Sequence, residues 1–88
     1  MLTDHDIYKN LTAVRPDRVT KTFNKINRSY TLSYSTGLYL ANCMRLANGT
    51  YRIDVNRREF FRNSYRPYKQ ITGDRARKIY TYAKEYCR

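Results

Sequence analysis

The sequence has no tryptophan, one histidine, two cysteines, two prolines and three glycines in 88 residues. One histidine and two isolated cysteines, Cys43 and Cys87, make no C-x-x-C pair and fall short of a zinc site, which wants four ligands or three plus water. No apolar run reaches the roughly 18 residues of a membrane span, and none follows Met1 as a secretory leader would. A cytoplasmic protein with no membrane partner is therefore expected. In a reducing compartment the two cysteines read as free thiols. The N-x-S/T triplets at Asn10, Asn27 and Asn48 then have no role in glycosylation. A Gly-rich phosphate loop, a nucleophile elbow and a paired-carboxylate motif are all missing. No catalytic residue, metal or cofactor is expected, and the chain reads as a non-enzyme.

Acid is scarce as well. Seven Asp and Glu stand against 18 Lys and Arg, a net charge of +11. Self-repulsion on that scale opposes compactness until something neutralises it, and nucleic acid is the commonest polyanionic partner. The bias to arginine adds weight, since the guanidinium offers a planar fork to phosphate and stacks on rings. The charge lies mostly in the second half: residues 45–88 hold twelve basic and four acidic groups, residues 1–44 six and three. Ten tyrosines supply rings with a polar tip, suited to a core, an interface or a base. A chain of this length makes one domain, spanning 1–88, with a small core.

Periodicity gives a provisional order of elements. Thr3-Asp4-His5-Asp6 has the composition of a helix start, and Ile7, Leu11 and Val14 follow at helical spacing. Val19, Phe23 and Ile26 suggest a second helix from Asp17 to Ile26. Tyr30, Leu32 and Tyr34 alternate with small polar residues, a strand pattern. Residues 38–47 read as a second strand, with a buried helix as the alternative. Asn48-Gly49 signals a two-residue hairpin into a third strand, where Tyr51, Ile53 and Val55 alternate with Thr50, Arg52 and Asp54. That hairpin sets Leu46 opposite Tyr51 and Met44 opposite Ile53. Asn56-x-x-Glu59 fits a capping box, so a short basic helix is expected to about Tyr65, before Pro67. Thr72-Gly73-Asp74 opens a last helix whose core stripe is Ala76, Ile79, Ala83 and Tyr86. The expected fold class is α+β: N-terminal helices, a three-stranded antiparallel meander, a short basic helix, and a C-terminal helix packed on the sheet. The element order and the basic last helix, RARKIYTYA at 75–83, resemble double-stranded-RNA-binding domains. The family's Lys-Lys-x-Ala opening of that helix and its usual loop sequence are missing, so the resemblance implies element order and carries no residues across.

The stretch NRREFFRNSYRPYK, residues 56–69, is the densest mixture of charge and rings. On a helix, Arg58, Arg62 and Arg66 would form one stripe of repelling guanidiniums that an external anion would relieve, with Phe61 and Tyr65 turned to the core. Arg57 lies beside that stripe, and Tyr68 and Lys69 follow Pro67 in a loop. Arg75, Arg77 and Lys78 sit where basic side chains oppose the helix dipole, a placement that a docked anion would compensate. Tyr65, Tyr68, Tyr80 and Tyr82 are interleaved with these cations, as in proteins that stack single-stranded bases. Tyr68 and Tyr82 are the favoured stackers. The candidate nucleic-acid-binding set is therefore Arg57, Arg58, Arg62, Arg66, Tyr68, Lys69, Arg75, Arg77, Lys78 and Tyr82. Against each stands an ordinary role: a solvated helix face, a tyrosine in the core, or cations offset by Asp74.

RNA, ahead of DNA, is the expected partner; the element order and the tyrosines favour it. An alternative is an inhibitor that docks on a nuclease or other nucleic-acid-handling protein, directly or bridged by RNA. In size and in its arginine and tyrosine content the chain is similar to small early proteins of bacteriophages. A third reading is a ribonuclease-like toxin using His5, although Asp4, His5 and Asp6 point in different directions on a helix and cannot converge on one atom. A homodimer stays open.

Overall fold

The computed structural model describes residues 3–13, 16, 18–26, 28–59 and 64–87. The first helix, α1 (Asp4–Ala13), begins as its composition suggests. The Thr3 hydroxyl accepts from the Asp6 N–H at 3.2 Å, and the Asp6 carboxylate accepts from the Thr3 N–H at 3.0 Å, a reciprocal cap. Ile7 and Leu11, four apart, are fully buried. Val14 lies outside the described residues.

The expected second helix is a strand. β1 (Thr20–Asn24) pairs antiparallel with β2 (Ser29–Ser35), setting Phe23 opposite Tyr30. The helical spacing of Val19, Phe23 and Ile26 misled because the three do not bury a common stripe: Ile26 is 92% exposed. Turn chemistry prevails locally. The Asn24 side chain accepts from the Ile26 N–H at 2.9 Å, and Arg28 takes a positive φ of 51°.

β2 continues into β3 (Tyr39–Arg45) and β4 (Tyr51–Glu59) as a meander, so the strand and not the helix alternative holds for residues 38–47, over Tyr39–Arg45. The β3–β4 turn is longer than the two residues its Asn-Gly pair suggests. Leu46 and Thr50 close a loop of three, with Gly49 N–H donating to the Leu46 carbonyl at 3.0 Å and Gly49 at φ 85°. The extra residue shifts the register by one. Cys43, not Met44, faces Ile53, and Arg45, not Leu46, faces Tyr51. Because side chains alternate, that slip puts Tyr39, Ala41 and Cys43 in the core and turns Leu40, Asn42 and Met44 to the other face.

The short basic helix expected from Asn56 to Tyr65 is also absent. β4 runs on through Glu59 and pairs with a fifth strand, β5 (Ser64–Thr72). Residues 60–63, with Phe60 and Phe61, lie outside the described residues. The alternation of Tyr51, Ile53 and Val55 carries past the Asn56 signal, since strands on both sides satisfy the β4 backbone. Glu59 pairs with Arg66 instead of capping a helix. Pro67 sits in an edge strand beside a bulge that leaves Tyr68 as an extra residue between Val55 and Asn56, a position where a missing N–H is tolerated.

The result is a five-stranded antiparallel sheet in the order β1-β2-β3-β4-β5, with one N-terminal and one C-terminal helix. Five strands also end the likeness in element order to double-stranded-RNA-binding domains. α2 (Asp74–Glu85) crosses β2 to β5 and buries Ala76, Ile79 and Ala83, three of the four stripe residues. The core joins Leu32, Tyr34, Tyr39, Ala41, Cys43, Ile53, Val55 and Ile71 of one sheet face to both helices. The Tyr34 hydroxyl donates to the Leu11 carbonyl at 2.8 Å, tying sheet to α1. Burial raises the Tyr34 phenol and pushes the Cys43 thiol up to about 12. No described helix is long and apolar enough to cross a membrane.

Candidate nucleic-acid interface

Strand pairing, not helix spacing, arranges the arginines of residues 56–69. Arg57 and Arg66 are direct cross-strand partners, and Arg58 faces Tyr65. Alternation puts Arg57, Glu59 and Arg66 on the side of the sheet that carries the helices, and Arg58 and Tyr65 on the other. Two like charges opposite each other destabilise a hairpin. Two neighbours offset that here. Glu59 forms an ion pair with Arg66, and the Arg57 guanidinium lies 5.8 Å from the centre of the Tyr68 ring. Arg62 lies outside the described residues, so the helical stripe of Arg58, Arg62 and Arg66 gives way to Arg57 and Arg66 on one face and Arg58 on the other.

The remaining expected residues are dispersed. Tyr68 is half-buried, and its ring stacks on buried Tyr39 at 6.0 Å and 22°. Burial, then the Tyr68 phenol, raise the Tyr39 phenol above its usual range, with Arg57 opposing. Lys69 reaches α1, where its ammonium pairs with Asp4 at 2.6 Å. Arg75, Arg77 and Lys78 are exposed on α2, and Arg77 pairs with Asp74 at 3.7 Å. They stand at the other end of β5: Thr72 is six residues beyond Arg66, roughly 20 Å of strand. Tyr82 is half-buried on α2, with its ring against Tyr34 at 6.3 Å and Tyr86 at 5.0 Å. The nine described residues of the expected ten thus belong to several surfaces.

A more open assembly of rings and cations lies at the β1–β2 end of the sheet. Phe23 and Tyr30 occupy the same sheet face as Leu32 and Tyr34, but they are 49% and 44% exposed. Their rings meet at 5.1 Å and 57°, and the Lys21 ammonium lies 4.1 Å from the centre of the Tyr30 ring. Beside them a hollow of about 470 Å³ opens between the β1–β2 turn, the β3–β4 turn and α2. Arg28, Tyr30, Arg45, Leu46 and Tyr80 line it, and no acid does. Tyr80 packs on Tyr51 at 5.1 Å. Burial, then that neighbouring phenol, raise the Tyr80 phenol, and Arg45 opposes them. Among the described residues, Lys21, Lys25, Arg28 and Arg45 have no acidic partner. Sequence reasoning passed over this assembly because it drew Phe23 into a buried helix stripe and Tyr30 into a plain strand. The available signal was the turn chemistry of Asn24 to Arg28, which brings Lys21 and Phe23 alongside Tyr30.

A second hollow, about 460 Å³, lies on the opposite sheet face at the β5 bulge. Asn42, Asp54, Asn56, Lys69 and Gln70 are in its lining, one acid and one cation that Asp4 already pairs, a set less suited to a polyanion than the acid-free hollow. His5 stacks on Tyr8 at 6.4 Å, and its flanking acids are engaged elsewhere, Asp4 with Lys69 and Asp6 with Thr3. Among the described residues no group of three His, Cys, Asp or Glu side chains is placed to hold a metal ion. No family model, curated protein or solved structure matches the chain.

Proposed function

We propose that this protein binds RNA, holding phosphates with arginine and lysine and bases with exposed rings, without catalysing a reaction. The observation that carries the proposal is the state of its cations. Among the described residues only Arg52, Arg66, Lys69 and Arg77 have an acidic partner. Lys21, Arg28, Arg45, Arg57, Arg58, Arg75 and Lys78 are among those without one, several of them beside rings. A surface of that kind carries repulsion that an external polyanion removes, and counterion release makes the association favourable. RNA is favoured over DNA because side-chain rings and guanidiniums suit the splayed bases of its loops and ends.

The test is a titration of labelled single-stranded RNA by fluorescence anisotropy across a salt series. With about six phosphate contacts, the log–log slope of affinity against salt should be roughly −4. Affinity that hardly changes from low to high salt would sink the proposal.

One observation favours a second reading, an inhibitor that docks on a nucleic-acid-handling protein. β1 is an edge strand with no bulge or proline; it carries the half-exposed Phe23 and is followed by the exposed Ile26, the kind of edge a partner chain can extend. Affinity capture from lysate, with the eluted RNA and proteins identified before and after nuclease, separates the two. A specific protein retained after nuclease supports direct docking, a specific protein lost with the RNA supports bridged docking, and RNA eluted with no specific protein supports direct RNA binding.

A further inference from the structure

We propose that the hollow between the β1–β2 turn, the β3–β4 turn and α2 is a site for single-stranded RNA, where an unpaired base packs on Tyr30 while Arg28 and Arg45 hold the flanking phosphates. This rests on the RNA-binding reading above and adds the place and the form of the RNA.

Three features converge there. The first is ring exposure. Phe23 and Tyr30 stand on the core side of the sheet, yet they are left about half in water. Aromatic faces left open next to cations are the platform on which unpaired bases stack. The second is shape. The hollow, about 470 Å³, falls within the range of small-ligand sites, and Tyr30 and Tyr80 both contribute to its lining. The third is charge. Arg28 and Arg45 line it, Lys21 lies over the Tyr30 ring, and no acid is among the lining residues. A second copy of the chain would also cover the rings, but it would bring its own Lys21, Arg28 and Arg45 against these, so like charges would meet. A polyanion that carries its own rings satisfies both the charge and the stacking. The site selects single strands because a base must leave its helical stack to lie on a side-chain ring, whereas duplex RNA offers mainly phosphates and 2′-hydroxyls.

The experiment compares two labelled RNAs on the full chain by fluorescence anisotropy: an oligouridine of about ten nucleotides, within the site size of single-strand binders, and a hairpin duplex with a similar number of phosphates. Tyr30→Ala should weaken oligouridine binding about tenfold or more, while Tyr30→Phe keeps it, because stacking needs the ring and not the hydroxyl. Duplex binding should stay within about twofold for both variants, since it depends on phosphate contacts spread over the surface. Arg45→Gln, on an exposed side chain, should weaken oligouridine more than duplex, and it carries the comparison if Tyr30→Ala melts below the working temperature. Equal weakening of both RNAs, or of neither, overturns the proposal. Wild-type protein that binds both RNAs with the steep salt dependence, and variants that match it, would remove this site alone. Wild-type protein that binds neither RNA would remove the RNA-binding reading with it.

Discussion

The β4–β5 end of the sheet and the β1–β2 end each set a cation over a ring, Arg57 over Tyr68 and Lys21 over Tyr30, but only the β4–β5 end adds acidic partners. At β4–β5, Arg66 is held by Glu59, Lys69 by Asp4, and Arg57 lies over Tyr68, which stacks on buried Tyr39. At β1–β2, Lys21, Lys25 and Arg28 have no acid among the described residues, and Phe23 and Tyr30 show half their surface to water. The two edge strands differ in the same sense. β5 carries a proline, a bulge and paired charges, the devices that blunt an edge, whereas β1 is short and plain. Density of charge along the chain is therefore a poor guide to available charge. Of the four described cations in the densest run, Arg66 and Lys69 are paired with acids, whereas the cations of the sparser run have no acidic partner among the described residues.

The largest expected effect tests whether the two ends divide stability from contact. Ile71 in β5 is 1% exposed and sits in the core, while Phe23 in β1 is half exposed. Ile71→Ala should cost about 2–5 kcal/mol in urea unfolding, from forfeited transfer energy and the cavity left behind. Phe23→Ala should cost less than about half of that, because much of its ring is already in water. Equal costs would mean that the β1–β2 hairpin is as structural as β5 and that the contrast is false.

Next in size is the contrast in RNA affinity. A triple change of Lys21, Arg28 and Arg45 to Gln should reduce the magnitude of the single-strand salt slope by roughly 2, about 0.7 for each phosphate that is no longer neutralised. Changing Arg66 and Lys69 together to Gln should reduce it by less than about 1, because both cations already have acidic partners. The salt series reads both. The reverse order would restore the β4–β5 hairpin as the main RNA-facing surface.

How far the sequence foretold this arrangement depends on how local each signal was. The first and last helices were legible, since Thr3 and Asp6 cap within one turn and Ala76, Ile79 and Ala83 repeat on one face. The alternation of Tyr51, Ile53 and Val55 was legible too. Two helix assignments failed where short-range spacing competed with long-range pairing. Val19, Phe23 and Ile26 match a helical period by accident, and Asn56 with Glu59 matches a cap while the β4 backbone is committed to β3 and β5. The β3–β4 register failed by one residue, because Asn48-Gly49 fits a two-residue or a three-residue turn and only the core decides between them. Of the nine described candidate site residues, Arg57, Arg58, Arg66, Lys69, Arg75, Arg77 and Lys78 do stand on exposed surface. What the sequence hid was pairing: Arg66 with Glu59, Lys69 with Asp4, and Tyr68 with Tyr39 all depend on neighbours in space that no local window contains.

A smaller effect tests whether pairing does withhold Arg66. Glu59→Gln removes its acid and leaves the side chain nearly the same size. Exposed pairs contribute little to stability, so the variant should lose no more than about 1 kcal/mol. Its RNA affinity at low salt should rise by about two- to threefold, as an opposing charge goes and a guanidinium is released. If affinity is unchanged, the β4–β5 end lies outside the RNA footprint, and the contrast between the two ends becomes complete.

The smallest effect is acid sensitivity, and it too should be unequal. Asp6 is held below its ordinary value of 3.8, first by the hydrogen bond from the Thr3 backbone and then by the Thr3 hydroxyl. A carboxylate with a lowered folded pKa adds stability that is complete above its unfolded pKa and is lost as pH falls through the folded value. The α1 cap should therefore loosen only in acid, and α1 is tied to β5 through Asp4 and Lys69. The described residues of the β1–β2 hairpin include no acid, so they have no matching transition. Proton-coupled shifts of the Thr3 and Asp6 amides in an NMR titration should show a midpoint below 3.8, while the Phe23 and Tyr30 amides stay flat. Asp6→Asn, which keeps an acceptor without the charge, should abolish the α1 transition. A midpoint at or above 3.8 would show that the cap does not favour the charged form. A matching transition in the β1–β2 amides would mean that the two ends respond to acid as one unit.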